Sequence, residues 1–116
     1  KTFAEALEKA NGELQKATMW FMQNAITNPN NAGAGAHHYM HIMGIVALGL
    51  MWLRMAKAAS EALASGEDNA KYYEGNLVTA RYFSERFFPD AGSLRRKIEG
   101  GSEAIMALDP GMFAVA

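Results

Sequence analysis

Residues 42–53 read Ile-Met-Gly-Ile-Val-Ala-Leu-Gly-Leu-Met-Trp-Leu, and this run decides the fold class. It is apolar on nearly every face of a helix. Such a helix is buried all round or lies in a membrane. His41 and Arg54 bracket the run, which is shorter than the roughly 20 apolar residues a membrane span needs. The run therefore predicts a buried central helix. Gly44, Ala47 and Gly49 are small, so a neighbouring helix can approach closely at some cost in helix propensity. The helix is expected from about Ala36 to Ser65, turning amphipathic after Arg54 and stopping at Gly66 as its C′ glycine.

Upstream, Phe3, Leu7, Ala10, Leu14, Ala17 and Phe21 recur at alternating steps of four and three. That spacing places them on one stripe of a first helix. Thr2 and Glu5 match a capping box. Asn28-Pro29 disfavours continuation, so the helix is expected to end near Thr27. Asn30 to Ala36, rich in Asn, Gly and Ala, reads as a loop or the frayed start of the next helix.

Downstream, Glu67-Asp68-Asn69 supplies acidic and capping residues for a third helix. Tyr73, Leu77, Ala80 and Phe87 share a stripe, with Tyr72 and Phe83 beside it, and Pro89 stops the segment. A fourth helix starts at Asp90 with Ala91, Leu94 and Ile98 at helical spacing. Gly100-Gly101 kinks or splits it before Ile105, Met106 and Leu108. Asp109-Pro110-Gly111 reads as a turn, and Met112-Phe113 as a tail that tucks back onto the bundle. No segment alternates with period two. The expected architecture is all-α: an antiparallel four-helix bundle with the strongly apolar second helix at its centre.

At 116 residues, the chain has the length of one domain with one core. Half of the residues are hydrophobic and 20% are charged, a globular balance rather than a disordered one. Basic and acidic residues number 11 and 12, for a net charge of -1. Nothing in that balance points to nucleic acid as a partner. The absence of cysteine rules out disulfides, thiolate metal sites and a cysteine nucleophile, and suits a reducing, cytoplasmic setting. The sequence opens at Lys1 and carries Glu5, Glu8 and Lys9 where a signal peptide would be apolar. The expectation is a piece processed or cut from a longer chain.

Residues with chemical potential are few. His37 and His41 are four apart, a metal-ligand spacing, and His38 sits beside them. No Asp or Glu lies within a turn, His-Glu-x-x-His is absent, and the plainer reading is a polar entry to the second helix. No metal site and no catalytic residue is therefore assigned. Glu74, Glu85 and Glu99 have basic neighbours and read as solvated or ion-paired faces. The paired Glu-x-x-His motifs of a di-iron bundle are missing. Arg95-Arg96-Lys97, with Arg81 and Arg86 on the preceding helix, could meet a phosphate, an acidic partner or anionic lipid. A solvated face balanced by nearby acids is the simpler alternative. Met40, Met43, Met51 and Met55 could line an adaptable ligand groove or simply fill a core. Gly33-Ala34-Gly35 lacks a preceding strand, so it is not a dinucleotide fingerprint, and no cofactor is assigned to this chain.

Three stretches carry a resemblance: HIMGIVALGLMWLRMA (41–56), YEGNLVTARYFSERFFP (73–89) and GGSEAIMALDPGMF (100–113). In order and spacing the chain resembles the C-terminal extension of a subgroup of bacterial acyl-CoA dehydrogenases, the subgroup that includes 3-methylmercaptopropionyl-CoA dehydrogenases. MWLRMA and TARYFSERFFP are its most specific parts, and it covers the chain from the first helix to Phe113. The resemblance implies one accessory domain over residues 1–116 of an FAD-dependent parent. That parent would remove a proton and a hydride from the α and β carbons of an acyl-CoA thioester. It also implies, as partners, the dehydrogenase body of the same polypeptide and neighbouring subunits of an oligomer, with membrane-surface contact a weaker possibility. The catalytic glutamate and flavin-binding strands belong to the body, so neither Glu74 nor Glu103 is promoted to a base.

Overall fold

The computed structural model describes residues 2–113. Their regular elements are all helical: α1 (Thr2–Asn24), α2 (Pro29–Ala64), α3 (Ala70–Arg86), α4 (Asp90–Glu99), the one-turn α5 (Glu103–Met106) and a closing 3-10 turn (Pro110–Phe113). No strand occurs among the described residues.

The start of α2 differs from the sequence expectation. Residues 30–36 are helical, so of the two readings, loop or start of the next helix, the second holds, and α2 begins at Pro29 rather than near Ala36. Asn28 is extended and its side chain accepts the Asn30 N–H at 3.1 Å, while Pro29 takes the first helical position. Proline is pre-organised there, because its missing N–H would be unpaired in any case. The same Asn28-Pro29 pair that blocks α1 thus launches α2, after α1 has ended at Asn24. The weak propensity of the Asn- and Gly-rich turns is offset by packing. At Gly35 an added Cβ would stand 2.8 Å from Phe21 Cζ and 3.3 Å from Ile98 Cγ2.

Other boundaries follow local rules. Gly66 (φ 73°) ends α2, with the Glu67 N–H donating to the Ala62 carbonyl at 3.2 Å. Asn69 occupies the N-cap position of α3 in the left-handed region (φ 71°), and its side chain makes no capping bond. Thr2 is the first residue of α1 rather than its cap. Residue 1, where the cap would sit, lies outside the described residues. Gly100-Gly101 splits α4 from α5, because Gly101 turns left-handed (φ 72°). Both the N–H and the hydroxyl of buried Ser102 then donate to Asn31 Oδ1, at 3.0 and 2.9 Å. This junction ties the end of α4 to the first turn of α2.

α2 packs against α1, α3 and α4, and α1 also meets α4. The core holds Leu7, Ala10 and Ala17 of α1, Ile42 of α2, Phe83, Phe88, and Ala91 and Ile98 of α4. Close approach is greatest at Gly49. Its Cβ position lies 2.6 Å from Phe88 Cε1 and 2.9 Å from Leu7 Cδ1. The Phe88 ring in turn meets Phe3 and Phe83 edge-on, each at 5.3 Å between centroids.

Three expectations fail here. α2 is not covered on every face: Ile42, Gly49 and Ala59 are buried, but Met40, Met43, Leu48, Leu50, Met51 and Met55 are exposed. The described chain places helices along only one side of it. The tail does not tuck back either, since Met112 and Phe113 are 61% and 68% exposed. Nor does Phe87 join the α3 stripe inside. It is 40% exposed while Phe83 and Phe88 are buried.

Candidate functional site

The charged candidates go to different places. Arg81 pairs with Glu85 one turn along α3, at 2.9 Å, with both side chains well exposed. Such a pair contributes little to stability. Arg95 turns to α1, where its Nε donates to Glu13 Oε1, and its Nη1 donates to Glu99 at 2.8 Å. The hydrogen bond to Glu13 is the main cause that raises the Arg95 pKa. With two carboxylates as partners, Arg95 acts as a strut between α1 and α4. Arg86 and Arg96 are exposed, and Arg96 stands on the helix that carries Arg95. Sequence proximity had grouped these arginines, and helical geometry separates Arg81 from Arg95.

The three histidines do cluster. The His37 ring lies 4.4 Å from His41 and 5.5 Å from His38 between centroids. No carboxylate joins them, and no group of three or more His, Cys, Asp or Glu is placed to hold a metal ion among the described residues. The His38 pKa is lowered, first by burial and then by the positive charge of Lys97 and its two histidine neighbours. Its Nδ1 is buried and meets no hydrogen-bond partner among the described residues.

Among the described residues, three clefts border the apolar stretch of α2 and its continuation to Ser60. The first, about 710 Å³, lies between α1, α2 and α3 over Phe3, Leu53, Leu77 and Ala80, with Lys57 and the paired Arg81 and Glu85 in its lining. A second, about 860 Å³, runs along α3 and α4 beside Gly44, Leu48, Trp52, Phe83 and Phe87. A third, about 420 Å³, follows α1 beside Leu7, Val46 and Leu50. Their walls are predominantly apolar, and none assembles a nucleophile, base and oxyanion donors in one place. Sequence reasoning had not separated the inner and outer faces of α2 that these clefts delimit. The helical steps of three and four within Met40–Met43 and Met51–Met55 were the available signal.

The glycine-rich stretch does not form a dinucleotide cradle. A dinucleotide cradle needs a strand, a glycine turn and a helix N-terminus. Here Gly33-Ala34-Gly35 lies inside a helix, and the space over Gly35 is filled by Phe21 and Ile98.

α2 passes the length and apolarity test for a membrane-crossing helix. It carries α1, with Glu5, Glu8, Lys9 and Glu13, along its side. Charges that are neither paired nor solvated are costly in hydrocarbon.

The arrangement defines a small helical domain, with a small core, struts between helices and much bare apolar surface. Comparison with known proteins gives the class its family. The family model described as "Acetyl-CoA dehydrogenase C-terminal like" matches residues 1–109, and the chain belongs to that family, the C-terminal domain of acyl-CoA dehydrogenases. It is similar to the broad-specificity linear acyl-CoA dehydrogenase FadE5 of Mycobacterium tuberculosis, with 31% identity over 114 residues. The match takes in 95% of this chain but spans 19% of that relative's length.

Proposed function

We propose that this chain is the C-terminal accessory domain of an FAD-dependent, cytoplasmic acyl-CoA dehydrogenase, and that it packs on the dehydrogenase body to stabilise the fold and the oligomer. The subgroup of 3-methylmercaptopropionyl-CoA dehydrogenases is the proposed home of the parent, which would serve fatty-acid metabolism through α,β-dehydrogenation of acyl-CoA thioesters. The four long helices are read as an antiparallel bundle. Leu7 and Phe88 meet α2 at Gly49, and Phe21 and Ile98 meet it at Gly35, which supports α1 and α4 each running antiparallel to α2.

One observation carries the reading. The chain exposes 8111 Å², against roughly 6,200 Å² expected for a compact monomer of its mass. The difference, about 1,900 Å², exceeds the roughly 800 Å² that one partner contributes to a stable interface. Much of the surplus is apolar, contributed by Met19, Met22, Ile26, Leu50, Ile105 and Phe113 among others. The test is deletion of this segment from the parent enzyme. A lower melting temperature or a smaller assembly is expected. An unchanged melting temperature and assembly would rule the role out.

A second reading, contact with an anionic group such as a CoA phosphate, is favoured by Lys57 and Arg81 flanking the 710 Å³ cleft. Replacing both with alanine in the parent should then raise KM at constant kcat, and unchanged kinetics would dismiss it.

A further inference from the structure

We propose that the outer ridge of α2 is the surface that docks on the dehydrogenase body, and that the body meets it with an apolar helical surface bearing carboxylates opposite Arg54 and Lys57. This rests on the accessory-domain reading above.

Ala36, Met40, Met43, Ala47 and Leu50 alternate at steps of four and three, and each is exposed. They form a seam of the kind two packed helices share. It is turned by about 110° from the inward residues Ile42, Val46, Gly49 and Leu53, at 100° per residue. With Met51 beside it, the seam runs for about 22 Å along the helix. α2 therefore has two apolar faces, of which the described chain covers one.

The shape around the ridge fits helix packing. The 420 Å³ groove lies on its α1 side and the 860 Å³ groove on its α3–α4 side. A ridge between two grooves is the relief that another helical surface interlocks with. The centre of the ridge is small. Ala47 stands there, and a Cβ added to neighbouring Gly44 would meet nothing within 4 Å. A fluid lipid surface has no use for such relief, whereas a rigid partner can fill it. The methionines add side chains that adapt to an irregular partner.

Charge selects among partners. Residues 14–60 contain no Asp or Glu. The apolar seam ends at Arg54 and Lys57, both exposed. A second copy complements this badly. Antiparallel pairing centred on Ala47 would set Arg54 and Lys57 against Met40 and His37, and parallel pairing would set Arg54 against Arg54. The dehydrogenase body supplies the missing chain: the related enzyme is about five times as long as this segment, which spans 19% of it.

The experiment is cysteine labelling in the full-length dehydrogenase. This segment has no cysteine of its own, so Met43→Cys and Ala47→Cys each report one ridge position, with exposed Glu74→Cys on α3 as reference. Peptide mass spectrometry follows maleimide modification. Labelling at 43 and 47 should be at least about ten-fold slower than at 74, because a covered thiol reacts only through local opening. It should not depend on protein concentration. Equal rates at all three positions overturn the docking face. Protection that appears only at high concentration assigns the ridge to a second copy, and protection that appears only with phosphatidylglycerol vesicles assigns it to a membrane. Either result overturns the proposal. Arg54→Glu should speed labelling at position 47, and an unchanged rate overturns the carboxylate assignment. Failure of the stabilising role is separable. If deletion of the segment leaves the enzyme's melting temperature and assembly unchanged while 43 and 47 stay protected, the role falls and the docking face stands.

Discussion

Glu13 on α1 and Arg95 on α4, 82 positions apart, form an ion pair whose side chains are only 14% and 18% exposed. It bridges two helices that are distant in sequence, and Glu99 shares the same guanidinium. Arg95→Ala would leave Glu13 partly buried without its partner. A loss of about 2 kcal/mol is expected, since stranding one member of a withdrawn pair costs more than the pair contributes. Replacing both Glu13 and Arg95 with leucine should recover most of that loss. Urea melts of the two variants check this, and equal stability of single and double variants would contradict it.

Gly49 separates steric cost from propensity. Gly49→Ala sets a methyl against Phe88 and Leu7 and should destabilise by about 1–3 kcal/mol. Gly12→Ala is also inside a helix but meets nothing within 4 Å, and should stabilise by about 0.5–1 kcal/mol. Opposite shifts in melting temperature are the expected result.

Asn31→Ala removes the acceptor that holds both the N–H and the hydroxyl of Ser102. Ser102 is buried, so its donors would be stranded, at a cost of about 1–3 kcal/mol. The segment beyond Gly101 would lose its anchor, and limited proteolysis between residues 102 and 109 should accelerate. An unchanged cleavage rate would show that the anchor lies elsewhere.

His38 makes stability pH-dependent. Burial, then Lys97 and the neighbouring histidines, hold its pKa below the ordinary value, which is about 6.5. The unfolded chain therefore takes up a proton more readily than the folded one. Its contribution is intact above about pH 6.5 and is lost as the pH falls from there through the lowered folded pKa. His38→Gln should flatten the dependence of melting temperature on pH just below 6.5. Identical slopes for variant and parent chain would contradict this.

The helices and their stops were legible because they rest on neighbours in sequence. The stripe from Phe3 to Phe21, the stop at Pro89 and the glycine at 66 all act within a turn or two. The family was legible from runs such as MWLRMA and TARYFSERFFP. The start of α2 was not, because Asn28-Pro29 serves both as a helix stop and as a cap with a first-turn proline. The directions of the arginines were not legible for a related reason. Adjacent positions on a helix point 100° apart, so Arg95 could turn to Glu13 while Arg96 stayed in water.

By itself the sequence determined where helices form and that the middle of α2 is apolar on nearly every face, since periodicity and capping are local properties. Only the tertiary structure decided which of its faces is covered. That depends on where Phe21, Phe88 and Ile98 arrive from distant positions, and on Gly35 and Gly49 leaving room for them on one side alone. The other side keeps its methionines bare because no helix of the described chain reaches it.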